Sequence, residues 1–512
     1  MNHKVYQFLN QSLRYLSIII LIVICITMVT NRLWIDYIEK QIIVPNQISF
    51  YLLLIIGIIL FIIIKPLLQQ IQPKHLFWIG TCIWFVLGLH YLFRAGTGWD
   101  YFQTDQRYAY DAAIQFNNGN YTILDDYYFK FYPFQLGLVT YNRLIALFST
   151  NIYFFYFVNL ICVLVINWCQ WQCVKLSFKK QVIENYNLLL SFSFLPLLYF
   201  ICFIYGNIPG FLAMYLSLYF GLAYLQQERP KKRYIVYMIV LALLAYLVKN
   251  NYLISCLALA IVFGLQALKQ QRWKLLIVSA AFIFGMGLTN FTLTKAYQAE
   301  TGVDLGQGIP KVAWITMGHR YGELRDSYGL YEAYTQDLFE AMNYDTKKTQ
   351  KIATKDLKKR LHELYTSPSK WWHFYSMKLK QTWADPYFQS IRSTSNTYDL
   401  YYPIANNIHS KEVKKRGYYK LAVALNIVNV TIVFFALMNL SRPLFQINNY
   451  QTFILLFVVG GFIFHFFWEI KSQYMFQYVY CLIPLASCTL AQVSISKLIK
   501  NVHKITKITK KA

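Results

Sequence analysis

The feature that most constrains this chain is a recurrence of apolar runs of about 18 or more residues along most of its length. Each is long enough to cross roughly 30 Å of hydrocarbon as a helix, and a soluble core does not need so many. Twelve spans are read, several of them of that length, near 13–30, 49–68, 75–92, 153–174, 186–205, 211–226, 234–248, 252–268, 275–293, 421–440, 452–468 and 474–493. The first lacks a small-residue cleavage site and reads as a retained span rather than a signal peptide. The expected fold is therefore an all-α polytopic membrane protein. Its expected parts are a membrane portion over 1–293, a large loop or cap over 294–417, a second membrane portion over 418–495 and a basic tail over 496–512.

Charge orients this plan. The net charge is +26, which by itself would admit nucleic acid as a partner. The excess sits instead in short loops and tails, as in "KLSFKK", "ERPKKR" and "KQQRWK", with no nucleic-acid motif beside it. Lys and Arg in short loops mark the cytoplasmic side. Both termini are then cytoplasmic in a plasma membrane, and the polar stretches 93–152 and 294–417 share the outer face. The cysteines fall within or beside apolar runs, so neither disulfides nor a metal cluster is expected.

The outer face holds the polar chemistry. In "GWDYFQTDQRYAYDAAIQFNNGNY", Tyr108, Ala109, Ala112, Ala113 and Phe116 recur at helical spacing, and Gly119 can end the helix. Asp105 lies just before its first turn. Such an aspartate commonly caps free backbone N–H groups, with Thr104 competing for that place. Asp100 lies upstream, and Asp111 is nearly two turns on and faces elsewhere. A second polar-aromatic run, "DDYYFKFYPFQLG", contains Tyr132, and the stretch after Pro133 reads as an interfacial helix. Three turns could share the same cavity. They are "YGNIPG" (205–210), "KNNY" with Lys249, and "WEIKSQY" with Glu469 and Lys471. Lys249 at a span end could equally snorkel to the interface. In the long segment, "GQGIPKVAWITMGHRYG" could pack over a ligand. Ser367-Pro368-Ser369 parts two helices, the second rich in Trp and carrying Lys378 and Lys380 toward headgroups.

These stretches resemble the polyprenol-dependent glycosyltransferases of the GT-C fold, the group similar to glycosyltransferase family 39 that includes protein O-mannosyltransferases and bacterial aminoarabinose transferases. The resemblance rests on Asp105, Tyr108, Ala109 and Gly119 in the first loop, on "FYPFQLG" and on "WEIKSQY". The chain departs from the pattern at Gln106, where the family has a second acid, and at Ser472-Gln473, where an Arg is common. Three spans, not one, precede the loop.

The resemblance implies inverting transfer of a sugar from a polyprenyl-phosphate donor to an envelope glycan, lipid or protein acceptor. Asp105 would be the general base, with Asp100 as the alternative. Arg107, Lys249, Lys378 and Lys471 would contact the donor phosphate, and Glu469 and Tyr132 would complete the binding site. No DxD motif is present, so the sequence requires no metal or other cofactor. A transporter or flippase of lipid-linked sugars, or a glycan polymerase or ligase, are the other readings.

Overall fold

The structure, a computed structural model, describes residues 2–35, 40–95, 105–227, 231–392, 408–442 and 447–493. The chain is predominantly helical. It begins with α1 (Asn2–Thr30), a hairpin of β1 (Asn31–Ile35) and β2 (Gln41–Pro45), α2 (Ile48–Ile63), α3 (Lys65–Gln70) and α4 (Pro73–Ala95). The first polar loop contains α5 (Asp105–Asn117), α6 (Tyr127–Phe131) and α7 (Leu136–Ala146). There follow α8 (Ile152–Phe178), α9 (Gln181–Ser193), α10 (Leu195–Tyr199), α11 (Asn207–Gln226), α12 (Arg233–Val248), α13 (Leu253–Gln270) and α14 (Leu275–Thr301). The cap holds α15 (Lys311–Met317), a hairpin of β3 (Tyr321–Gly322) and β4 (Ser327–Tyr328), α16 (Tyr334–Ala341), α17 (Thr346–Tyr365) and α18 (Pro368–Trp383). The chain returns through α19 (Ile408–Leu440) and α20 (Asn449–Phe467) and ends in α21 (Phe476–Cys481) and α22 (Ile483–Leu490).

Among the described residues nine helices are long and apolar enough to cross a membrane, or ten if the bent pair Gln181–Ser193 and Leu195–Cys202 counts as one span. The protein thus has the character of a multi-pass membrane protein. Two of the twelve spans read from sequence take other forms. Arg233–Val248 is apolar but only 16 residues long. The stretch 474–493 is broken into a 3-10 turn, α21 and α22, with Pro484 opening the last piece. Proline lacks the N–H that a continuous helix needs. Breaks in an apolar interior free backbone carbonyls, which must find donors there. Gln170 Nε2 reaches Tyr480 O at 3.0 Å, and Asn159 Nδ2 reaches Ile201 O at 3.0 Å, so α8 supplies both amides.

Burial separates core from periphery. Residues 476–490 are buried throughout, whereas α2 exposes Leu52, Leu53, Ile55, Ile56, Ile59 and Leu60. A helix apolar on all sides, with such side chains turned outward, fits contact with lipid. Neighbours approach closely at glycine, as where a Cβ on Gly80 would stand 2.3 Å from Phe192.

The two ends of the bundle differ. At one end, Arg14 bonds the carbonyls of Leu440 and Arg442, Gln181 bonds those of Gln69 and Ile71, and Gln266 bonds Asn449. These contacts gather the short basic connections. The other end gathers the polar segments. Leu33 N bonds Ala384 O at 2.8 Å, Ile309 N bonds Phe131 O at 3.2 Å, and Ile470 N bonds Gly329 O at 2.8 Å. The first loop, the β1–β2 hairpin, the cap and the 468–474 turn therefore meet. The hairpin fills the connection between the first two spans. Its Val, Ile and Trp residues pair from Asn31↔Pro45 to Ile35↔Gln41.

Candidate functional site

The site begins at the start of α5. That helix buries Gln106, Ala109, Ala112, Ala113 and Phe116 on one face, and its small residues let it lie against α7. Gln106 is fully buried, and its Oε1 accepts from Ile204 N at 3.1 Å. The position where the resembled family has an acid is thus spent on fixing the helix start against the 203–205 backbone. Asp105 is itself helical, within α5, rather than lying before the helix. Its carboxylate lies within electrostatic range of Lys249, Glu469 and the hydroxyls of Tyr128, Tyr132, Tyr205, Tyr331 and Tyr474.

Lys249 is placed by close backbone approaches. A Cβ on Gly137 would stand 1.9 Å from Leu247 O, so α7 touches the end of α12 where no side chain fits. Gly206 has φ of 79° and sits against Val248 O, a conformation that favours glycine. Lys249 follows directly, in extended conformation. Its Nζ stands 3.4 Å from the Tyr205 ring centroid and 5.8 Å from that of Tyr474. Desolvation brings its pKa down to about 7, and Lys471 adds to the lowering while Asp105 and Glu469 oppose it.

Glu469 and Lys471 come from the turn after α20. Glu469 is 4% exposed. One carboxylate oxygen accepts from the Tyr474 hydroxyl at 3.1 Å, and Oε2 is buried without a hydrogen-bond partner. Burial raises its pKa, and Lys471 and Tyr474 act the other way. The Lys471 Nζ lies 5.0 Å from the Tyr331 ring centroid. The cap pins this turn at three points. Lys378 Nζ donates to Trp468 O at 2.8 Å, Gly329 O accepts from Ile470 N, and Ser472 Oγ donates to Asp385 Oδ2 at 2.7 Å.

Tyr132 joins the cap to the first loop. It is buried, its hydroxyl accepts from Gln336 Nε2 at 2.9 Å, and its ring lies 5.9 Å from Trp314. Burial raises the Tyr132 pKa and pushes that of Tyr331 up to about 12, which keeps both phenols protonated, and the Tyr331 hydroxyl donates to Gln336 Oε1. The glycine-rich stretch packs on the same wall, since a Cβ on Gly308 would stand 2.5 Å from Pro133. It covers the aromatic run of the first loop.

Five of the sequence-derived residues, Asp105, Tyr132, Lys249, Glu469 and Lys471, thus come together from four segments. Two others are spent on protein partners. Lys378 is 2% exposed and donates to Gly318 O at 2.5 Å as well as to Trp468 O. Its ammonium is committed to these backbone carbonyls, within electrostatic range of Glu469. Arg107 pairs with Asp111 at 2.7 Å along the surface of α5, as the i, i+4 spacing allows. Asp100 lies outside the described residues. The sequence reading assigned no part to Tyr128, Tyr205, Tyr331 or Tyr474. Tyr205 and Tyr474 ended or opened turns already singled out, while Tyr331 carried no local signal.

Fold and site together define a multi-pass helical protein with a mixed acidic, basic and tyrosine-lined cluster at one end of its bundle. The chain matches no family model, and no curated protein matches it significantly.

Proposed function

We propose that the protein is a multi-pass glycosyltransferase of the GT-C type. It moves a sugar from a polyprenyl-phosphate donor to an envelope glycan, lipid or protein acceptor. The observation that carries this reading is the convergence of Asp105, Lys249, Glu469 and Lys471 at one end of an otherwise apolar bundle. Charges at a membrane edge are costly and are commonly kept for function.

In this reading the acceptor hydroxyl attacks the anomeric carbon and gives its proton to Asp105. The bond from that carbon to the phosphate oxygen breaks, and its electron pair leaves with the polyprenyl phosphate. Lys249 and Lys471 balance the phosphate charge. The unpartnered Glu469 oxygen accepts a sugar hydroxyl, and Tyr132 and Tyr331 line the wall beside it. One displacement inverts the anomeric centre. The basic short loops at the opposite end support a topology of twelve spans, both termini cytoplasmic and the site outside, in the plasma membrane.

Asp105→Asn tests the assignment, since the amide keeps the shape and cannot take the proton. Sugar transfer from a labelled polyprenyl-phosphate donor is expected to fall by about 10²–10⁴-fold at normal membrane insertion. Transfer at the wild-type rate would remove Asp105 from the base role.

A carrier of lipid-linked sugars is the second reading. It is favoured by the broken helices α9–α10 and α21–α22, of which α9 and α22 pack together. It requires donor translocation in vesicles to continue in Asp105→Asn, whereas the transferase reading requires loss of product.

A further inference from the structure

The helix α17 presents a second charged surface outside the site. Lys347, Lys351, Lys355 and Lys358 are all exposed. Their spacing of four, four and three residues places them within roughly 80° of arc, at intervals of about 6 Å along the axis. With Gln350 and Thr354 they line a shallow trough of about 570 Å³. None of the four is in an ion pair among the described residues, whereas Lys348 pairs with Asp345 at 3.8 Å and Arg360 with Glu363 at 3.1 Å. The acid at position 356 is engaged by the Tyr334 hydroxyl at 2.8 Å.

The trough leads to the site. Thr346, the residue before Lys347, donates through Oγ1 to Gly308 O at 2.8 Å. Gly308 sits on Phe131 and Pro133, which flank Tyr132. Lys130 extends the positive line, with its Nζ 5.9 Å from the Tyr344 ring. The opposite face of α17 buries Thr349, Ala353 and Leu364 against the cap, so no apolar stripe is left to enter a bilayer. Binding at this face rests on charge alone.

We infer that the α17 trough holds a linear anionic polymer whose phosphate groups recur along its backbone, and that it leads the end of that polymer to the site. This rests on the transferase reading and names the acceptor class: a polyol-phosphate chain rather than a neutral glycan or a lipid.

The test uses the full chain in nanodiscs of neutral lipid, with poly(glycerol phosphate) as the probe. Lys347, Lys351, Lys355 and Lys358 are changed together to Gln, which preserves helix propensity. Wild-type binding is expected at low salt and weakens as salt rises. The glutamine variant is expected to bind about tenfold or more weakly with an unchanged melting temperature. An arginine variant at the same four positions restores binding. Equal binding by wild-type and glutamine variants overturns the inference. So does binding to phosphatidylglycerol vesicles without binding to the polymer, which assigns the trough to a membrane surface. Asp105→Asn is expected to keep polymer binding, and the glutamine variant to keep transfer to a short uncharged acceptor. Loss of polymer binding in the glutamine variant, with no sugar transfer in any form, leaves the trough standing and refutes the transferase.

Discussion

At the scale of single residues, Lys249 is the most informative side chain. Its ammonium packs on a ring face at 3.4 Å, and desolvation brings its pKa from the ordinary lysine range down to about 7. The sign follows from that lowering. Lys249 is charged below about pH 7 and becomes neutral above it, so an anionic donor loses a partner as pH rises. Donor KM is expected to climb through this range while kcat changes less, measured as initial rates against pH. Lys249→Arg, which stays charged, flattens that limb; an unchanged profile would remove Lys249 from the phosphate. The site charges were legible because each is an anomaly in an apolar chain, a Lys or Glu at the edge of a span. The tyrosine hydroxyls were not. Tyrosine is common throughout this sequence, and nothing local separates Tyr331, which meets Tyr132, from one that merely sits at an interface. The partners of Arg107 and Lys378 were not legible for a related reason. Their charge was visible, but the carboxylate or carbonyls that absorb it are set by helix register and by packing across the cap.

At the scale of elements, the helix break at Ser367-Pro368 and the α5 periodicity were readable because caps and spacing act within a few residues. Ser367 Oγ does cap α18, accepting from Lys370 N. The interruptions of α9–α10 and 474–493 were not read, although Pro196 and Pro484 stand in the sequence. Hydropathy averages over such breaks, and the amides that make them tolerable lie on α8, far off in sequence. The contact of α7 with α12 carries a direct prediction. Gly137→Ala places a methyl 1.9 Å from Leu247 O, backbone that cannot rotate aside. The helices must separate, at a cost of about 1–3 kcal/mol or more. A lower melting temperature by thermal shift in detergent is expected, together with reduced donor affinity as Lys249 moves. A melting temperature equal to wild type would show that α7 and α12 do not meet as described.

At the scale of the whole molecule, the bundle has one end of short basic connections and one end built of cap, first loop and turns. Asn343, exposed in the cap, tests its direction. A cysteine there is expected to react with an impermeant thiol reagent in intact cells, and one at Gln271 only after permeabilisation. Eight of the nine native cysteines are buried, and Cys82 lies within α4, so the background is low; the reverse pattern would invert the topology. Asp105 and Glu469 are separated by 364 positions (469 − 105), and the turn carrying Glu469 and Lys471 is pinned by the finished cap. During synthesis, most of the bundle can insert before the ribosome reaches that turn. A nascent chain therefore carries Asp105 and Lys249 with Glu469 and Lys471 still to come. The charged cluster closes only when the last segments arrive, so a product terminated before that turn lacks Glu469 and Lys471, two of its four charges.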